Sequence, residues 1–239
     1  LFAALVGPAR AAGLVDTDEP QALTLQGIDE AIEDYRQAAL NARLAGFDGV
    51  ELHCTSGYLP MQFMASGSNQ RSDAYGGDVT GRVRFAKEVI EAMASAIGAG
   101  RVGFRLCPGN PYNDIDDQDP AATAAALCEA VAPLGLAYLH IMRSPLADLN
   151  AFALARQHSP HALILNDGFD GPSASAALAS GEGAAVSFAR HFIANPDLVE
   201  RLKRGLPLTR FDRKTLYTPG SAGYSDYPAY QANAQEVAQ

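Results

Sequence analysis

No apolar run in this sequence reaches the roughly 20 residues that a bilayer-spanning helix needs. Residues 1–6 are apolar, but no positive charge precedes them and six residues are too few for a signal peptide. Basic residues are scarce: 18 Lys and Arg face 27 Asp and Glu, a net charge of −9. No basic face is then available to release counterions, which argues against nucleic acid and anionic membranes as partners. Cysteine is rare too. Cys54, Cys107 and Cys128 are odd in number and lack metal-like spacing, so reduced thiols in the cytoplasm are expected, and no metal site. There is no initiating Met, so a fragment or processed chain is expected. Also missing are a G-x-S-x-G nucleophile turn and any self-similar repeat, so an ordinary α/β hydrolase or binding domain is a weak alternative. What is present, 48% hydrophobic and 19% charged residues in 239, is the composition of a folded α/β chain with one core, expected as a single domain over 1–239.

The periodicities set out an alternation. An irregular leader over 1–25 precedes a helix from Thr24 or Gln26 to Ala45, closed by Gly46. Val50–His53 alternates as a strand, with Val50 and Leu52 on one face and Glu51 and His53 on the other. Further strands are expected near 101–106, 137–142, 161–165 and 185–189. Helices are expected near 81–96, 120–132, 150–157, 172–179 and 196–204, with a C-terminal extension over 206–239. Strands alternating with helices predict βαβ units and a parallel sheet. Five units fit either part of a barrel or a doubly wound sheet, and the first strand lacks the G-x-G-x-x-G turn of the dinucleotide-binding version.

Residues 47–77 read FDGVELHCTSGYLPMQFMASGSNQRSDAYGG. A strand that turns Glu51 and His53 to one side and leaves through Thr55, Ser56 and Gly57 delivers polar groups to a loop carrying the phenol of Tyr58. The plain reading is a strand, a surface loop and a partly buried histidine. The combination GFDGVELH, GYL, QF, SNQR and D-x-YGG closely resembles the Old Yellow Enzyme family, the FMN-dependent ene reductases. The resemblance extends to RVGFRLCP around Arg105, to LNDGFD over 165–170, and to SFARHFIANPDL over 187–198.

The resemblance implies an α/β fold of the TIM (β/α)8-barrel type, of which this chain holds the last five βα units, strands four to eight. It implies FMN as cofactor, NAD(P)H as reductant, and an activated alkene, an α,β-unsaturated carbonyl or nitro compound, as substrate. His53 would donate a hydrogen bond to the substrate oxygen, and Tyr58 would protonate the α-carbon. Ser56 stands where the family usually has Asn or a second His, so it and Tyr217 are the further substrate-binding candidates. Arg105 would lie against the flavin, with an ion pair to Glu51 as the alternative or additional role. Asp167, Gly168, Ala189 and Arg190 would form the phosphate end. Two of these depart from the family: Asp167 and Ala189 replace glycines, bringing a carboxylate and a methyl group. The runner-up reading is a non-catalytic or weakly flavin-binding barrel fragment that self-associates through an open sheet edge.

Overall fold

The computed structural model describes residues 21–230, so most of the expected leader and the end of the C-terminal extension lie outside the described residues. Five of the helices begin where a short polar side chain caps them. Helix α1 (Leu25–Leu44) starts at Thr24, whose Oγ1 accepts from Gly27 N–H at 3.0 Å. After strand β1 (Val50–His53) come α2 (Leu59–Met64) and α3 (Val79–Ile97), the latter capped by Asp78. Strand β2 (Val102–Leu106) precedes α4 (Pro120–Val131), capped by Asp119 with Pro in the first turn. Then follow β3 (Tyr138–Met142), α5 (Ala151–His158), β4 (Leu163–Asn166) and α6 (Gly171–Ala179), which opens on a reciprocal Asp170–Ser173 capping box. Strand β5 (Ala185–Ser187), α7 (Arg190–Ala194) and α8 (Leu198–Arg204) complete the regular elements. Two short helices were not expected: α2 lies inside the stretch read as a loop, and α7 precedes the last expected helix.

The sheet runs in the order β1-β2-β3-β4-β5, and β1 to β4 pair in parallel, each with the next. A doubly wound sheet reverses its strand order at a switch point; this one is strictly sequential, which removes that alternative. The strands present two chemically distinct faces. Leu52, Phe104, Leu106, Leu139, Ile141, Leu163 and Leu165 are buried and carry the apolar phase of the alternation. Glu51, His53, Arg105, Tyr138, His140 and Asn166 carry the other.

Two compact units are distinguishable. The first runs through Asn166 and takes in Gly181–Ala185; the second comprises Asp167–Ser180 and continues from Val186. In the first unit, Phe85 stacks on Phe63 at 4.3 Å and meets Tyr35 edge-on at 6.4 Å. The SNQR-x-D-x-YGG stretch ties itself into this core. Asn69 Nδ2 donates to the carbonyls of Phe63 and Tyr75 at 2.6 and 2.7 Å. Arg71 bonds Asp73 and the Leu23 carbonyl, and Tyr75 donates to Glu88 at 2.7 Å. That stretch serves the fold. In the second unit, buried Arg201 bonds Asp197, Thr209 and the carbonyls of Pro207 and Pro228. Asn195, fully buried, exchanges bonds with Thr209 and donates to the His191 carbonyl. The IANPDL residues thus anchor the chain that follows them.

Candidate functional site

In parallel α/β sheets, chemistry collects at the carboxyl ends of the strands, and in the first unit those ends converge on one polar network. The register places His53 beside Arg105 and Arg105 beside His140. Arg105 Nη2 donates to Asn166 Oδ1 at 2.7 Å. Its Nη1 lies 3.0–3.1 Å from the two ring nitrogens of His140, whose Nδ1 is 2.9 Å from Glu51 Oε2. An ionised carboxylate only accepts, so Nδ1 carries the proton in the neutral tautomer and Nε2 accepts from Arg105. The expected direct Glu51–Arg105 pair is therefore corrected: His140 stands between them. The reason is register, since Glu51 lies opposite Gly103, one row below Arg105.

Gly103 has a part in this. A Cβ there would run into the ring of Tyr138. With no side chain at the middle of the row Glu51–Gly103–Tyr138, the phenol crosses β2 and hydrogen-bonds Glu51. Burial, then the Glu51 charge, pushes the Tyr138 hydroxyl up to about 12. For Glu51 burial is the largest influence and raises its pKa. The opposing hydrogen bond and charge of His140, the Arg105 charge and the Tyr138 hydrogen bond together outweigh it and hold the carboxyl below its ordinary value.

His53 is half-buried; burial first, then the Arg105 charge, lowers its pKa. It is thus a neutral imidazole at pH 7, with one N–H to donate. Its ring centroid lies 5.2 Å from that of Tyr58, tilted by 60°. Tyr58 occupies the position before α2 without a side-chain capping bond and is 43% exposed. Between them Ser56 and Gly57 both take left-handed backbone angles, φ 59° and 73°. Ser56 is held there by two asparagines. Asn110 Nδ2 donates to Ser56 Oγ at 3.2 Å and to Thr55 Oγ1 at 3.3 Å, and Asn113 Nδ2 donates to the Ser56 carbonyl at 2.8 Å. None of the three cysteines is in a disulfide and all are buried. Burial drives the thiols of Cys54 and Cys128 strongly up, so they are inert at neutral pH.

The second unit holds the other candidates. Asp167 and Gly168 are consecutive left-handed residues, φ 74° and 75°, so the backbone keeps a glycine-like turn with Asp in its first place. Asp167 Oδ1 accepts from Arg190 Nη2 at 2.6 Å. Ala189 has φ −112°, ordinary for any residue, so its methyl group strains nothing. Tyr217 is 84% exposed.

Sequence reasoning missed His140, Tyr138 and the role of Asn166. The signal was available for the first two: in YLHIM over 138–142, alternation puts Tyr138 and His140 on the face of Arg105. Asn110 and Asn113 had no such signal, being separated from Ser56 by more than 50 positions.

Among groups a cofactor could use, Arg105 Nε is buried and has no hydrogen-bond partner among the described residues. A buried cationic N–H without an acceptor is costly, so a ligand's hydrogen-bond acceptor would be favoured there. No group of three or more His, Cys, Asp or Glu suited to a metal occurs among the described residues. No helix among them is long and apolar enough to cross a membrane.

The sequence model of the NADH:flavin oxidoreductase / NADH oxidase family matches residues 6–209. A probable flavin mononucleotide-dependent alkene reductase of Leishmania infantum is 42% identical over 213 residues, 87% of this chain and 58% of that protein. A putative 12-oxophytodienoate reductase 10 of Oryza sativa subsp. japonica is 38% identical over 92% of this chain and 73% of its own length. Among solved structures, morphinone reductase in complex with tetrahydroNAD superposes with a TM-score of 0.86 at 41% identity, covering 92% of this chain and 60% of that one. The old yellow enzyme from Trypanosoma cruzi gives 0.89 at 34% identity, covering 93% and 61%. The chain thus spans about three-fifths of most of these relatives.

Proposed function

The chain belongs to the NADH:flavin oxidoreductase / NADH oxidase family, and from that premise we propose that it is an FMN-dependent, NAD(P)H-consuming reductase of activated C=C bonds. Its five βα units are proposed to be the last five of a (β/α)8 barrel; the sequential parallel order supports this. The activities of the relatives named above favour the enzyme over a non-catalytic fragment. The observation that carries the reading is the His53–Tyr58 pair, 5.2 Å apart at the carboxyl end of β1.

When bound, FMN supplies the hydride that it receives from NAD(P)H. The chain's own residues do the rest. His53, neutral because burial and Arg105 lower its pKa, donates its N–H to the carbonyl or nitro oxygen. That bond strengthens as negative charge builds there during hydride arrival at the β-carbon. Tyr58 gives its phenolic proton to the α-carbon and is reprotonated from water. Ser56, held by Asn110, is proposed as a second substrate contact, and Tyr217 as a border of the substrate pocket. Arg105 is proposed to meet the flavin ring through Nε, its other nitrogens being engaged by His140 and Asn166. Asp167, Gly168, Ala189 and Arg190 are proposed for the phosphate end. A cytoplasmic location is proposed in keeping with the three thiols outside any disulfide, and β1, an outer strand, is proposed as an edge for self-association.

The test is twofold. The purified chain titrated with FMN should quench flavin fluorescence, and the loaded protein should oxidise NAD(P)H when a cyclic enone is added. Tyr58→Phe should lower turnover by about 10²–10⁴ while leaving flavin binding unchanged. Full activity in that variant would remove Tyr58 from the mechanism.

A further inference from the structure

Arg190 is not free in the second unit. Its Nη2 is engaged at 2.6 Å by Asp167, and its guanidinium lies over the Phe211 ring, 5.8 Å from the centroid. Asp167 is held in a left-handed conformation, φ 74°, which few residues other than glycine adopt. Both side chains of the ion pair are rather less than half exposed, at 44% and 43%, so the pair sits at a surface that a ligand could reach. A dianionic phosphate approaching Arg190 would meet a pair of zero net charge, with a carboxylate a hydrogen bond away from the cation it seeks. Ala189, with a φ of −112°, needs no glycine-only backbone conformation, and it carries no charge.

We propose that Asp167 neutralises Arg190, so that the phosphate end adds little to flavin binding and this chain takes riboflavin, the phosphate-free flavin, about as well as FMN. The proposal rests on the flavin reading above and narrows its ligand class. Adding or removing one unit charge a few ångströms from a dianion, in a partly solvated site at low salt, changes affinity by about tenfold or more.

The experiment compares the two ligands. The full chain is titrated with FMN and with riboflavin at low ionic strength, following flavin fluorescence. The same titrations are run on Asp167→Asn, Asp167→Gly and the double variant Asp167→Asn with Arg190→Gln. Asparagine matches aspartate in size and tolerates positive φ, so Asp167→Asn isolates the charge, and its thermal melting checks the fold. The unmodified chain should bind the two flavins within about threefold of each other. Asp167→Asn and Asp167→Gly should each tighten FMN by at least about tenfold without moving riboflavin, and Arg190→Gln should cancel that gain. A tenfold or larger preference of the unmodified chain for FMN would overturn the proposal. So would an equal gain for both ligands in Asp167→Asn, or an FMN preference that survives Arg190→Gln. If neither flavin binds any form, the flavin reading itself fails and the proposal falls with it.

Discussion

Two charged constellations lie one in each unit, and they are built on opposite principles. In the first unit the Glu51–His140–Arg105–Asn166 network grows from strand ends in fixed register. His140 is 9% exposed and Glu51 26%, and the hydrogen bonds reach across the sheet, from β1 to β3 and from β2 to β3 and β4. In the second unit the Asp167–Arg190 pair joins a loop residue to the first residue of a five-residue helix, with both side chains over 40% exposed. The separations differ little, 2.9 against 2.6 Å, and the shorter contact is expected to be the weaker. Water screens the exposed pair and competes for both of its groups, whereas the buried groups have lost their water and depend on one another. Distance alone does not rank ionic contacts; solvent access does.

The sharpest way to break that comparison is a double-mutant cycle in each unit. His140→Asn and Glu51→Gln should each destabilise by about 1–3 kcal/mol, because each removes a hydrogen bond to a charged group in a largely desolvated network. Their coupling should exceed about 1 kcal/mol, read from urea unfolding midpoints. Gly103→Ala probes the same network from the backbone. Its methyl group collides with the Tyr138 ring, so it should cost about 1–3 kcal/mol by overpacking. Near-zero coupling between Glu51 and His140 would show that the row is merely juxtaposed.

Acid should distinguish the network next. His53 and His161 both have pKa values lowered by burial, so between those values and the ordinary 6.5 the unfolded chain binds protons that the folded chain does not. Stability is then complete above pH 6.5 and declines as pH falls below it. Glu51, also depressed, adds a second decline as pH falls below its ordinary 4.5 towards its folded value. Thermal melts at fixed ionic strength from pH 8 down to about pH 2 would record both stages, and His53→Gln should flatten the first. A melting temperature that rises on acidification from pH 7 to 5 would contradict the assigned direction.

The smallest effect is expected in the second unit. Arg190→Gln should change stability by no more than about 1 kcal/mol, and less in high salt. Asp167→Gly is expected to be neutral or stabilising, since it relieves a left-handed φ while losing only an exposed pair. A loss of several kcal/mol in either would mean that the pair anchors its unit, and the contrast drawn above would not hold.

The sequence by itself determined the local elements and much of the candidate site. Caps at Thr24, Asp78, Asp119, Asn150 and Asp170 and a period of two in VELH, VGFRL and YLHIM are written in consecutive residues, because capping and pleating are local physics. His53, Tyr58 and Arg105 were legible because the motif around them is contiguous. The tertiary structure decided what needs residues far apart in the chain. Strand order separated the sequential sheet from a doubly wound one, since pairing is a long-range choice that periodicity leaves open. Register put His140 between Glu51 and Arg105 and let Tyr138 pass over Gly103. Folding also brought Asn110 to Ser56 and Arg190 to Asp167, 54 and 23 positions apart. The charge on Asp167 was visible from the start; that it is spent on Arg190 was not, because an ion pair depends on where two loops end in space.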